Sequence, residues 1–221
     1  MSPEKIIPIV IIGASGFGKE VAMTIEDCIK DGKNYELLGF IDDDKSLHKK
    51  NIYNYPVLGG INWLENKNNM VYCVVAIGNP KIRKNVVEKI KKFNIKFQTV
   101  IHPSTTISNS VKIGKGCIIQ PGSIITVDTK IGDHVIINIK STIGHDDIVE
   151  NFVTINPGVH INGNTKIETG VDIGSGTTMK QGIKLGKWSI IGAGSALITD
   201  VEKFSLYVGV PGKLKTKFKD K

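Results

Sequence analysis

The sequence lacks any sign of a membrane-spanning segment: the apolar run Ile6 to Ile12 is too short for a bilayer. It leads into a glycine loop and not a cleavage site, which argues against a secretory leader. Cysteine is scarce, with three residues, an odd number and no Cys-x-x-Cys pair. That pattern excludes a disulfide framework and points to a reducing compartment. The expectation is a soluble cytoplasmic protein with no membrane partner. Excess positive charge is absent from residues 101–200, where lysines and acids cancel. The net charge of +8 sits on Lys81, Arg83, Lys84, Lys89, Lys91, Lys92 and Lys96 and on Lys213 to Lys221. The first group reads as the solvated face of a helix and the second as a frayed basic end. With no stacking aromatics interleaved, neither reads as a nucleic-acid surface.

What the sequence does contain is a period of six. From Ile101 to Leu197 an aliphatic residue or Met stands at every sixth position: Ile101, Ile107, Ile113, Ile119 and onward through Met179, Leu185, Ile191 and Leu197. The residue four places later is small or β-branched almost throughout, as at Thr105, Val111, Cys117, Ser123 and Thr129. Glycine often follows the aliphatic directly, at Gly114, Gly132, Gly144, Gly174, Gly186 and Gly192. Helices do not repeat at six and a simple strand repeats at two. A short strand plus a tight turn fits one flat side of a solenoid, each coil burying its apolar edge on its neighbours. This pattern resembles the hexapeptide repeat of left-handed parallel β-helix acyltransferases. The resemblance implies three hexads per coil, so that residues 18 apart stack, and it supplies the left hand, which the period does not.

The first hundred residues follow a different rhythm. Strands are expected at Ile6 to Ile12, Tyr35 to Ile41 and Val71 to Ile77, with helices from residue 18 to about 31 and from Pro80 to about Phe93. A last strand, Ile95 to Ile101, hands over to the prism, and residues 45–68 read as polar and irregular. The alternation indicates a small parallel α/β sheet. The expected organisation is therefore a Rossmann-like α/β domain at 1–99, a left-handed parallel β-helix at 100–201 and a basic tail at 202–221.

Gly13-Ala14-Ser15-Gly16-Phe17-Gly18 follows a strand and opens a helix, where backbone N–H groups can receive a phosphate. Its spacing is not that of the dinucleotide fingerprint, and a tight βα turn that binds nothing remains open. Asp42 and Asp43 end the next strand, where an acid can accept hydrogen bonds from a ribose or base.

Loop, small domain and prism together resemble the nucleotide-sugar acetyltransferases of the NeuD/PglD-like kind, including N-acetyltransferases of UDP- or dTDP-4-amino-4,6-dideoxy sugars. The resemblance implies a nucleotide sugar held by Ser15, Gly16 and Phe17, by Asp42 and Asp43, and by Gly78 and Asn79. Phe17 replaces the histidine common there. It implies acetyl-CoA as co-substrate, contacted at Thr154, Gly163, Ser175 and Ala193, and a homotrimer with the cofactor between subunits. Its catalytic base matches His145, which should project outward two places after the inward Ile143. Imidazole titrates near neutrality and suits removal of an amine proton during attack on a thioester. Asp146 is the expected orienter of that ring, with Asp147 as competitor. Gly163, one coil on, offers an N–H for the oxyanion or serves only as a turn glycine.

No metal is expected: His134, His145 and His160 lie 11 and 15 residues apart, off the coil repeat. An O-acetyltransferase acting on a sialic acid or related hydroxyl, and a nucleotide-sensing scaffold without catalysis, remain as alternatives.

Overall fold

The computed structural model describes residues 6–67 and 69–219. The N-terminal half runs β1 (Ile7–Ile12), α1 (Gly16–Lys30), β2 (Tyr35–Ile41), β3 (Asn51–Ile52), β4 (Tyr55–Gly59), β5 (Tyr72–Val75), α2 (Pro80–Lys91) and β6 (Lys96–Phe97). The sheet order is β3-β4-β2-β1-β5-β6. β1, buried from Ile9 to Ile12, lies between β2 and β5 and is parallel to both. α2 begins where it does because Asn79 accepts a hydrogen bond from the Ile82 amide and Pro80 occupies the first turn, where no N–H is needed.

The stretch 45–68 is more regular than its composition suggests. β3 and β4 pair antiparallel, and β4 joins the sheet parallel to β2. Tyr53 and Asn54 make the connecting turn in the left-handed region, a conformation that tyrosine does not advertise in a sequence.

The prism has three parallel faces. The first carries Val100–Ile101, Ile118–Ile119, Ile136–Ile137, Thr154–Ile155, Asp172–Ile173 and Ile190–Ile191. The second runs from Thr106–Ile107 to Ala196–Leu197, and the third from Lys112–Ile113 to Lys184–Leu185. Each strand pairs with the one 18 residues on, as in Ile119↔Ile137 and Ile137↔Ile155. The inward aliphatics form one continuous core. Several hydroxyls at the small positions are satisfied along the coils: Ser123 and Thr129 donate to the carbonyls of Asn138 and Gly144, whereas Ser189 Oγ has no partner among the described residues. A buried polar atom with a partner costs little, and this is why Ser and Thr recur there.

A second six-residue rhythm lies in the turns. From Gly116 to Gly194 every sixth residue has positive φ, glycine at some corners and His134, Asp146, Phe152, Asn164 or Trp188 at others. A non-glycine residue in that conformation costs about 1–2 kcal/mol, so the side chains placed there need compensating contacts.

Two readings of charge are corrected. The basic segment is not frayed as far as Lys217: Ser205–Val208 extends the first face beside Ile190–Ile191, and Lys213–Lys217 pairs with it antiparallel, while Lys221 lies outside the described residues. Arg83 is not on a solvated face but is 1% exposed. Its Nε donates to His134 O, Nη1 to Ile77 O and Gly78 O, and Nη2 to Phe152 O, Val153 O and Thr154 Oγ1. The guanidinium, a five-donor fork, thus ties the end of β5 to two coils of the prism. Around it, Val100, Ile118 and Ile136 of the first face pack into the core on the α1 side of the sheet. No helix among the described residues is long and apolar enough to cross a membrane.

Candidate active site

His145 stands at the edge between the second and third faces, in the turn after Thr142–Ile143. Its Nδ1 and Asp146 Oδ2 are 2.8 Å apart, and both side chains are about half exposed, 53% and 54%. Asp146 holds a φ of 58°, which turns its carboxylate back onto the preceding ring. Of the two aspartates weighed for this contact, Asp146 makes it. An Nδ1–H donated to the carboxylate leaves Nε2 with its lone pair, the tautomer a base requires.

Asp147 does something else. It is fully buried, and Oδ1 accepts the Thr165 amide at 2.7 Å. Oδ2 has no partner among the described residues, and burial pushes the carboxyl up to about 6.

Gly163 lies under the imidazole. A Cβ added there would come within 2.5 Å of His145 Nε2. The glycine is buried, and Gly144, which carries no side chain, faces its amide nitrogen. The evident contribution of Gly163 is clearance for the ring.

Ser175 and Ala193 are exposed at a different edge, between the first and second faces. That edge is nearly bare. Gly158, Gly176 and Gly194 occupy its corners, and a Cβ on any of them would meet nothing within 4 Å. A smooth backbone channel of this kind suits an extended thioester arm. Thr154 does not reach it. The side chain is 1% exposed, donates to Gly78 O at 2.6 Å and accepts from Arg83 at 2.9 Å. The contact expected of Thr154 with a cofactor is therefore corrected: its hydroxyl closes the joint between the two halves.

In the N-terminal half, Ser15 caps α1 without a side-chain hydrogen bond, and the first turn of the helix has no acid. The hydroxyl and the helix terminus are available to an anion. Phe17 is half-buried against the core on that side of the sheet. Asp42 and Asp43 are already engaged: Asp42 accepts from the amides of Ala14 and Asp44, and Asp43 from that of Ile61. Both border a small cavity of about 150 Å³, with Gly13, Ile77 and Val86 among its walls. Gly78 and Asn79 are exposed beside it, although Gly78 O is taken by Arg83 and Thr154 and the Asn79 side chain caps α2. The sequence reading missed Arg83. Its only local signal is a position four residues beyond the cap of a helix that opens at a proposed binding loop.

With this geometry in place, comparison with known proteins is informative. Residues 8–90 match the PglD N-terminal domain. The acetyltransferase domain of PglB from Neisseria gonorrhoeae is 31% identical, with a TM-score of 0.86 over 94% of this chain and 99% of that one. The chain belongs to the PglD-like family of hexapeptide-repeat, left-handed β-helix acetyltransferases. Within the family, a perosamine N-acetyltransferase from Caulobacter crescentus, solved in complex with CoA and GDP-perosamine, is 26% identical over 96% of this chain and 98% of its own, with a TM-score of 0.86. A GDP-perosamine N-acetyltransferase from Escherichia coli is 33% identical over 111 residues. That match spans 49% of each chain, about half the length of the curated relative.

Proposed function

We propose that this chain transfers an acetyl group from acetyl-CoA to the amine of a nucleotide-linked 4-amino-4,6-dideoxy sugar. The observation that carries the reading is the outward imidazole of His145, steadied at Nδ1 by Asp146 and seated on Gly163. The amine nitrogen attacks the thioester carbonyl while Nε2 takes the N–H proton. The tetrahedral adduct collapses, the C–S bond breaks, and the imidazolium returns its proton to the departing thiolate. Asp146 stabilises the imidazolium without itself being protonated. Phosphates of the acceptor lie at Ser15 and Gly16, where the start of α1 offers unsatisfied N–H groups. Relatives named for GDP-linked sugars widen the choice of base beyond UDP and dTDP.

The site is incomplete within one chain. His145 and the bare edge at Ser175 and Ala193 lie on different corners of the prism. Each corner carries an exposed aliphatic, Val127 at 48% one coil before His145 and Ile139 at 40% two coils before Ser175. Setting one corner against the other buries both and, repeated around a threefold axis, closes a homotrimer.

The decisive experiment measures thiol release from acetyl-CoA with UDP-, dTDP- and GDP-linked 4-amino sugars. His145→Ala should lower kcat by about 10²–10⁴-fold while nucleotide binding persists; a near-normal rate removes the mechanism. Mixing His145→Ala with Ser175→Trp, each inactive alone, should restore roughly a quarter of wild-type activity, because a closed ring then contains contacts with both corners intact. No restoration would mean that each chain works alone.

A further inference from the structure

The edge between the third and first faces carries a column of residues 18 apart: Gly116, His134, Phe152, Gly170 and Trp188, all with positive φ. His134 and Phe152 stack at 5.2 Å with an interplanar angle of 10°. The N-terminal half covers that lower part, with Phe97 edge-on to His134 at 4.7 Å and Arg83 bonded to both backbones. Above it the cover ends. Trp188 lies across Gly170, where a Cβ would come within 2.2 Å of the indole.

A crevice of about 410 Å³ opens there, bounded by Trp188, Pro80, Ile190, Phe218 and Asp172. His145, the glycine loop, Ser175 and Ala193 do not border it. Asp172 is half-buried; Asn156 Nδ2 donates to its Oδ1 at 3.0 Å, and burial pushes its carboxyl upward. Lys81 and Lys219 also line the crevice, and Lys84 Nζ is 5.4 Å from the Trp188 ring centroid.

These features select a ligand class by elimination. A purely apolar guest would desolvate the Asp172 carboxylate further, with only the Asn156 amide to satisfy it. A simple anion would face that carboxylate and gain nothing from the indole. A cation would meet three lysines. A flat ring with N–H donors on one edge and an anionic tail satisfies every wall. We propose that this crevice binds a nucleotide, its base on Trp188, its N–H edge toward Asp172 and its phosphate at Lys81 and Lys219. The crevice borders Asn79, which the resemblance assigns to the nucleotide sugar, but none of Ser15, Gly16, His145, Ser175 and Ala193, and the inference does not depend on the proposed function. The nucleotide is a free one, distinct from the nucleotide end of CoA.

The chain has two tryptophans, Trp63 and Trp188, so Trp63→Phe leaves the crevice indole as the sole reporter. In that background, fluorescence is titrated with AMP, GMP, UMP, CoA and ribose 5-phosphate. Saturable quenching is expected by about 1 mM with at least one base-bearing probe and none with ribose 5-phosphate. A mononucleotide binding more tightly than CoA supports the proposal; CoA binding more tightly overturns it, because the crevice then belongs to the cofactor. Asp172→Ala and the surface change Lys81→Glu should each weaken binding about tenfold. Absence of saturable quenching with every probe, or equal quenching in both variants, overturns the proposal.

Discussion

Two histidines of the prism each rest against a glycine one coil away, and they have opposite fates. His145 lies on Gly163, half exposed, with Asp146 at Nδ1. His134 lies on Gly116, 3% exposed, with an unpartnered Nδ1 and Phe97 and Phe152 as neighbours. The seats differ by one place in the hexad: His134 itself holds the left-handed corner at φ 56°, and His145 stands just before the corner residue Asp146. The larger difference is the cover: the N-terminal half closes one edge of the prism and leaves the other open. A repeat thus makes several seats for a ring, and the domain packed beside it decides which ring can do chemistry.

The hardest way to break the contrast is to remove the cover. Arg83→Met removes a donor from five carbonyls, of which Gly78 O and Val153 O keep another, and breaking a buried charged network of this kind costs roughly 3–5 kcal/mol. Calorimetry should show the α/β half melting ahead of the prism, with Arg83→Lys intermediate. A single unshifted transition would mean that the joint contributes nothing.

The glycine pair sharpens the comparison next. Gly116→Ala adds a left-handed φ penalty and a clash 2.4 Å from His134, whose ring has nowhere to move. A loss of about 2 kcal/mol or more is expected in denaturant. Gly163→Ala pushes on a ring that is free to swing outward. Its melting temperature should barely change, whereas kcat falls about tenfold or more as the base leaves position. Equal stability losses at the two sites would contradict the difference in cover.

The smallest effects are in pH. Burial pushes His134 down to about 4. Its folded value lies below its unfolded one, so its contribution is present above about pH 6.5 and lost as pH falls toward 4. Asp147 runs the other way. Its folded value of about 6 exceeds the unfolded one, so stability is lost as pH rises from about 4 through 6. Asp147→Asn should be more stable than wild type by on the order of 2 kcal/mol at pH 8 and match it near pH 3. His134→Asn should flatten the acid limb between pH 4 and 6.5 in urea titrations. A pH-independent difference in either variant would contradict the assignment.

Much of this was readable from residue spacing. The period of six marked the strand-and-turn unit, because every hexad meets the same demand: an inward aliphatic and a small or hydroxyl residue beside a neighbouring carbonyl. The three faces and the 18-residue stacking came from the family resemblance, and with them His145 and Gly163 fall together. Asp146 was favoured on position, and only its turn geometry shows how the carboxylate reaches the ring. Thr154 and Arg83 were misplaced for one reason. The hexad period for the one and the helical charge pattern for the other tell which face a residue occupies but not what covers that face.

The sequence by itself determined the coil, its core and the corner on which each polar side chain stands, since those depend on short-range periodicity. Only the tertiary structure decided which corners are closed. Closure depends on contacts across long stretches of chain, such as Thr24 with Gln120 and Arg83 with Thr154. No local pattern records them, and they set the desolvation that separates a buried histidine from an available base.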